Sequence, residues 1–143
     1  MTTIPPAPEA GSTHGAAEPF VATTLGASLT AADLPTSVAW YRDVLGFTVA
    51  REHERGGTTF AVSLRAGVVA ILLTQDNGAR GADRVKGEGF SLQLTTKQDI
   101  DALAAGIKAR GGTLDTEPAD AWGMRVFRLR DPDGFKLVIS TER

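Results

Sequence analysis

The chain alternates strand-like and helix-like stretches in a fixed order. Apolar residues alternate with small polar ones from Thr24 to Ala31, which is the period of a strand with one buried face. Asp33 then suits a helix N-cap, Pro35 suits the first turn and Gly46 suits the residue that ends the helix. Glycine-containing turns separate the next three strand-like runs, which are predicted over residues 47–54, 58–65 and 68–74.

The same order returns in the second half of the chain. A strand is predicted over residues 90–94 and a helix from Gln98 to Arg110, which the pair Gly111-Gly112 ends. Three further strands are predicted over residues 113–116, 124–130 and 135–140. The repeat therefore predicts an α+β fold of two βαβββ modules.

Composition shifts divide the chain into four parts. Residues 1–21, rich in Pro, Ala, Thr and Gly and containing His14, are predicted to be a flexible tail. Residues 22–141 are predicted to form one domain, made of a module over 22–76, a polar linker over 77–88 and a module over 89–141.

The scarcity of soft metal ligands narrows the possible chemistry. The 143 residues include no cysteine and two histidines, His14 and His53, so thiolate metal sites, iron–sulfur clusters and thiol nucleophiles are excluded. One chain cannot supply three imidazoles to a metal. We therefore expect no cofactor.

Charge and hydropathy bear on partners and location. The net charge of -2 offers no basic stripe for phosphates, so no nucleic-acid partner is expected. No apolar run approaches the ~20 residues of a membrane span, and no Lys or Arg precedes Arg42, as a signal peptide would require. We expect a cytoplasmic protein with no membrane partner.

Two motifs carry a family resemblance. The run from Asp33 to Phe47 (DLPTSVAWYRDVLGF) and the turn Asp131-Pro132-Asp133-Gly134 followed by Phe135, preceded by residues 122–127, resemble signatures of the glyoxalase/bleomycin-resistance/dioxygenase superfamily. The resemblance covers roughly residues 22 to 141. It implies curved mixed sheets around a pocket, with the helices outside, and pockets that paired chains commonly build jointly.

The resemblance also implies four positions for the ligands of a divalent metal. In this chain they fall on Gly26, on Leu72, on one of residues 89–91 depending on register, and on Val138. Gly89 and Ser91 are the better candidates for the third position, because Phe90 belongs to the apolar face of its strand. Divalent ions require oxygen or imidazole donors, so we expect no metal of the family kind.

Other side chains are candidates for catalysis or ligand binding. His53 is a weak catalytic candidate, as an acid–base group near neutrality, although an exposed strand end explains it as well. Arg51, His53 and Arg55 share one face of a regular strand, where they could bind an anion. Trp122 offers a flat apolar surface and Arg125 a carboxylate-binding fork, while a loop aromatic covering the core is the alternative for Trp122. The predicted ligand-binding residues are Ser28, Thr30, Thr74, Ser91, Gln93, Trp122, Arg125 and Lys136.

Two functions follow from this pattern. The first is a metal-independent protein that binds a small organic molecule, in drug or metabolite sequestration. The second is a glyoxalase- or dioxygenase-type lyase or isomerase that uses a non-standard metal site or acid–base residues. A homodimer is expected in either case.

Overall fold

The computed structural model describes residues 18–81 and 83–142. His14 and most of the predicted tail lie outside this range. In chain order the elements are β1 (Ala27–Ala31), α1 (Leu34–Ala39), a π-helical segment (Trp40–Leu45), β2 (Thr48–Arg55), β3 (Thr58–Ala66), β4 (Val69–Gln75), β5 (Leu92–Thr96), α2 (Ile100–Ala109), β6 (Leu114–Ala121), β7 (Met124–Arg130) and β8 (Lys136–Thr141).

The eight strands form two sheets of four. The first sheet has the order β1-β4-β3-β2 and the second the order β5-β8-β7-β6. In each sheet the first strand of the module runs parallel to the last, and the remaining pairs are antiparallel. The predicted α+β fold with two βαβββ modules is confirmed. Within the described residues, no helix has the length and apolar character needed to cross a membrane.

Local periodicity missed two details. The helix predicted between Asp33 and Gly46 is α-helical only to Ala39, and from Trp40 onward it widens into the π-helical segment, where Tyr41 reaches the second module. Strand β6 runs to Ala121, well past the predicted end, because irregular pairing between Thr116 and Ala119 accommodates Pro118.

The two modules share one hydrophobic core. Leu64 and Leu73 of the first sheet and Phe127 and Leu129 of the second belong to the same buried cluster, together with residues of both helices and Tyr41. The side of each sheet that turns toward the helices therefore packs inward. We call the opposite side of each sheet its open face.

A buried hydrogen bond joins the modules across this core. The Tyr41 hydroxyl donates to Asp131 Oδ2 at 2.8 Å, and Tyr41 is fully buried. Asp131 Oδ1 also accepts from the backbone N–H groups of Asp133, at 2.8 Å, and Phe135, at 2.9 Å, which holds the turn before β8. Burial raises the pKa of Asp131, while its hydrogen bonds with Tyr41, Phe135 and Asp133 act in the opposite direction. Burial also raises the pKa of Tyr41.

An ion cluster fixes the end of the linker. Lys86 Nζ lies 3.0 Å from Asp76 Oδ2 and 3.2 Å from Asp133 Oδ1, and all three side chains are at most 7% exposed. Asp133 also accepts from the Ala32 N–H and the Ser37 hydroxyl, so it contacts both modules and the linker. The pKa of Asp76 is lowered, mainly by the hydrogen bond from the backbone N–H of Gly78 and next by the hydrogen bond from Lys86.

We predict that Tyr41→Phe lowers the free energy of unfolding by about 1.5–3 kcal/mol at neutral pH, because the Asp131 carboxylate loses a donor. The loss should shrink as the pH falls through the raised pKa of Asp131, since a protonated carboxyl needs that donor less. Urea unfolding across acidic to neutral pH measures both effects. A double-mutant cycle with Asp131→Asn provides the control, and absence of coupling between the two sites would contradict the prediction.

We predict that Lys86→Met lowers Tm by several degrees, because two enclosed carboxylates are left without their shared cation. Lys108→Met is the matched control, since Lys108 pairs with Glu117 in a solvent-exposed contact. Calorimetry of both variants and the unaltered protein measures the three Tm values. Equal Tm values would show that the cluster contributes no more than a surface ion pair.

Candidate functional site

The open face of the first sheet is built by strand register. Leu29 and Leu73 point toward the helices, so their neighbours along β1 and β4 point to the open face. Two cross-strand rows result. One joins Ser28, Leu72, Ser63 and Arg51, and the next joins Thr30, Thr74, Ala61 and His53.

A bulge in β2 brings Arg51 into the first row. Val49 lies opposite Leu64, but Arg51 rather than Ala50 lies opposite Ser63, because the strand contains one extra residue here. A second irregularity lies on β3, where Phe60 is skipped between the pairs His53–Ala61 and Glu54–Thr59. The Phe60 ring centre lies 4.3 Å from the Arg55 guanidinium and 6.4 Å from the His53 ring centre. Because the extra residue at this point belongs to β3, the alternation of Arg51, His53 and Arg55 along β2 is not interrupted.

A pocket of about 350 Å³ opens on this face. Its lining includes the apolar residues Ala70 and Leu72, the hydroxyl-bearing Ser63 and two arginines, Arg51 and Arg65. We call it the first-sheet pocket. Gly26 also lines it, and a Cβ added at Gly26 would meet no atom within 4 Å.

His53 stands at the edge of the pocket. Its Nε2 lies 3.0 Å from Ser63 Oγ, and the ring is half-buried. This hydrogen bond connects the candidate acid–base group to a residue that lines the pocket. The arrangement provides a hydroxyl and an imidazole in contact, which are two of the groups that nucleophilic catalysis uses.

The second sheet has its own open face. Its central row joins Gln93, Val138, Arg128 and Thr116, and Lys136 lies two residues from Val138 on the same face of β8. Val138 occupies the position in β8 that Leu72 occupies in β4, because each lies in the last strand of its module, beside the first. The two modules thus place an aliphatic residue at the same point.

The predicted ligand-binding residues are divided between the two sheets. Ser28, Thr30 and Thr74 lie on the open face of the first sheet, and Gln93 and Lys136 on that of the second. Ser91 lies just before β5. The first-sheet pocket is lined by other residues, so within one chain the structure does not bring the predicted set together.

Arg125 and Trp122, the remaining predicted ligand-binding residues, lie on neither open face. Arg125 shares its strand face with Phe127, on the helix side, and its guanidinium lies 2.8 Å from Asp101 and 3.3 Å from Asp120. The hydrogen bond with Asp101 raises the pKa of Arg125, and Arg125 lowers that of Asp101. Trp122 occupies the tip of the β6–β7 hairpin with a positive φ of 50° and is 75% exposed.

Sequence reasoning missed Ser63 and Arg65. Both lie on β3 in the same alternation that buries Val62 and Leu64, so strand period alone places them on one face. That pattern was visible in the sequence. Which neighbours they meet depends on the pairing of β3 with β2 and β4.

The residues at the implied metal positions do not fit a metal. Gly26 and Leu72 lie at the first-sheet pocket and Val138 on the second sheet, and none has a donor side chain. The hydroxyl of Ser91 is the one side-chain donor at the remaining alternatives. In the described part of the chain, no three His, Cys, Asp or Glu side chains form a group able to hold a metal ion.

A larger groove of about 950 Å³ lies on the helix side, between the modules. Leu45, Leu103, Ile107 and Ile139 are among the apolar residues that line it, with Arg110 and Glu142 among its charged residues. It lies away from both open faces and from the implied metal positions. We therefore take the first-sheet pocket as the candidate site.

This fold, with its paired modules and open sheet faces, defines a glyoxalase-like α+β protein. The chain belongs to the Glyoxalase/Bleomycin resistance protein/Dioxygenase superfamily, whose family model matches residues 21–139. The resemblance inferred from the two motifs is confirmed.

Individual relatives are more distant. A probable lactoylglutathione lyase of Vibrio cholerae serotype O1 (strain ATCC 39315 / El Tor Inaba N16961) is 28% identical over 114 residues, which cover 75% of this chain and 81% of the relative. A solved superfamily member from Sphaerobacter thermophilus DSM 20745 has 22% identity and a TM-score of 0.70, covering 85% of this chain and 98% of that one. TioX from Micromonospora sp. ML1 has 19% identity and a TM-score of 0.67, covering 85% of this chain and 100% of its own. At these identities the two solved structures support the fold alone.

Proposed function

We propose that this chain is a metal-independent protein that binds a small organic molecule, in drug or metabolite sequestration. The observation that supports this function is the lining of the first-sheet pocket. Where the family resemblance calls for metal ligands, Gly26 provides space and Leu72 an apolar surface. A concave site with apolar surface and a few polar groups is the usual form of a small-molecule site.

We also propose a homodimer. The shared core turns the helix sides of both sheets inward, so each open face is available to a second chain. In such a dimer the first sheet of one chain faces the second sheet of its partner, which brings the divided set of predicted residues into one cavity. Sedimentation equilibrium at micromolar concentration should give the mass of two chains, and a single-chain mass would overturn this assembly.

The cytoplasmic location remains a prediction.

The metal-independent function predicts two thermal-shift results. After treatment with a chelator, adding micromolar Zn²⁺, Ni²⁺ or Mn²⁺ should leave Tm unchanged, because the implied positions lack donor sets. A screen of aromatic acids, aromatic amines, antibiotics and thiol conjugates should yield compounds that raise Tm. A rise of several degrees with a metal ion would overturn the metal-independent function.

Gly26→Leu locates the binding site in that screen. The added side chain meets no protein atom at Cβ and projects from a residue that lines the pocket, so it should remove the ligand-induced rise while the protein stays folded. Ala22→Leu, which adds the same side chain at an exposed residue outside the lining, is the matched control. Equal rises in both variants would place the ligand elsewhere.

The alternative is a glyoxalase- or dioxygenase-type lyase or isomerase. The contact of His53 with Ser63 favours it, because an imidazole that touches a pocket hydroxyl can move a proton. The Vibrio cholerae relative, a probable lactoylglutathione lyase, belongs to the same class of enzyme. In this case His53→Gln abolishes turnover of a glutathione hemithioacetal, whereas absence of turnover in the unaltered protein rules out that substrate.

A further inference from the structure

Two arginines line the first-sheet pocket. Arg51 reaches it from β2 and lies opposite Ser63, and Arg65 follows Ser63 by two residues on the same face of β3. Both arginines therefore neighbour Ser63, one across the strand pair and one along β3. The pocket therefore presents two neighbouring positive charges.

Neither of these arginines has a carboxylate partner among the described residues. Of the ten arginines in the described residues, Arg42, Arg84, Arg125 and Arg130 each contact an Asp side chain, and Arg51 and Arg65 are among the six that contact no carboxylate. The residues that line the pocket, all within the described part, include no acid. Of the acids on β2, Glu52 lies opposite Val62 on the helix side, and Glu54 lies beside Thr59 beyond the pocket lining.

Like charges that line one pocket repel each other, and an anion between them removes the repulsion. A guanidinium group also binds a carboxylate through two parallel hydrogen bonds. Beside the arginines, Ala70 and Leu72 offer an apolar surface that an inorganic ion would leave uncovered. The combination matches a molecule with one acidic end and one apolar body.

We propose that the first-sheet pocket binds an organic acid, with its carboxylate between Arg51 and Arg65 and its apolar part against Ala70 and Leu72. This ligand class rests on the binding function proposed above. It excludes basic drugs from this pocket, because a cationic group would meet two guanidinium groups. Ser63 adds a hydroxyl beside the two arginines, where the carboxylate of the ligand would lie. The hydrogen bond between His53 Nε2 and Ser63 Oγ, at 3.0 Å, orients that hydroxyl.

The test compares two ligands of nearly equal shape. 2-Naphthoate carries the carboxylate and 2-naphthamide replaces it with a neutral amide, and calorimetric titration of the full chain measures both affinities. We expect naphthoate to bind about tenfold tighter or more, as is typical when a hydrogen bond to a charged group is gained. Arg51→Gln with Arg65→Gln should remove this preference and leave naphthamide binding unchanged. Both arginines are exposed, so the variant should keep its Tm.

Arg80→Gln is the matched control, since Arg80 is exposed in the linker and does not line the pocket. Equal affinities of the two compounds for the unaltered chain, or an equal loss of naphthoate affinity in the control, would overturn the organic-acid site. If both compounds bind equally and Gly26→Leu removes both, the binding function stands without the acid preference. If Gly26→Leu changes neither affinity, the pocket assignment fails as well.

Discussion

A buried hydrogen bond between the Tyr41 hydroxyl and the Asp131 carboxylate connects the two halves of this protein. Tyr41 belongs to the first module and Asp131 to the turn that leads into the last strand of the second. A carboxylate at this depth needs donors, and it receives three, one of them from the other module. The contact therefore constrains the position of the helix of one module relative to the sheet of the other.

The neighbouring residue Asp133 extends this constraint to the linker. Lys86 lies between Asp133 and Asp76, so the end of the linker contacts both modules through one enclosed cation. Gly87 follows directly, and a Cβ there would lie 2.9 Å from the Phe135 ring. Although its composition resembles a mobile connection, the linker ends in close packing. Loop composition predicts a connection, but it contains no information about distant partners.

The shared core has a direct consequence for function. Because the helix side of each sheet must bury apolar residues, alternation leaves the open face free to carry other chemistry. At the centre of the two open faces stand Leu72 and Val138, in corresponding strands. Arg51 lies in the same row as Leu72 in the first sheet, and Arg128 lies in the same row as Val138 in the second. The duplicated fold thus keeps its backbone plan while an aliphatic residue and an arginine stand in the central row of each open face.

The sequence by itself determined the duplicated βαβββ order, the helix-facing residues of most strands and the missing metal donors, because periodicity and donor chemistry are local properties. It also pointed to the Asp131 turn, where Pro132 and Gly134 suit the backbone. Only the tertiary structure decided which side chains share a pocket. The bulge beside Val49 places Arg51 next to Ser63, and a regular strand would have placed Ala50 there. Arg125 has the residue type of a ligand-binding group, yet Asp101 and Asp120 hold it on the helix side. Register and ion pairing between distant residues depend on the whole fold, so no local pattern could contain them.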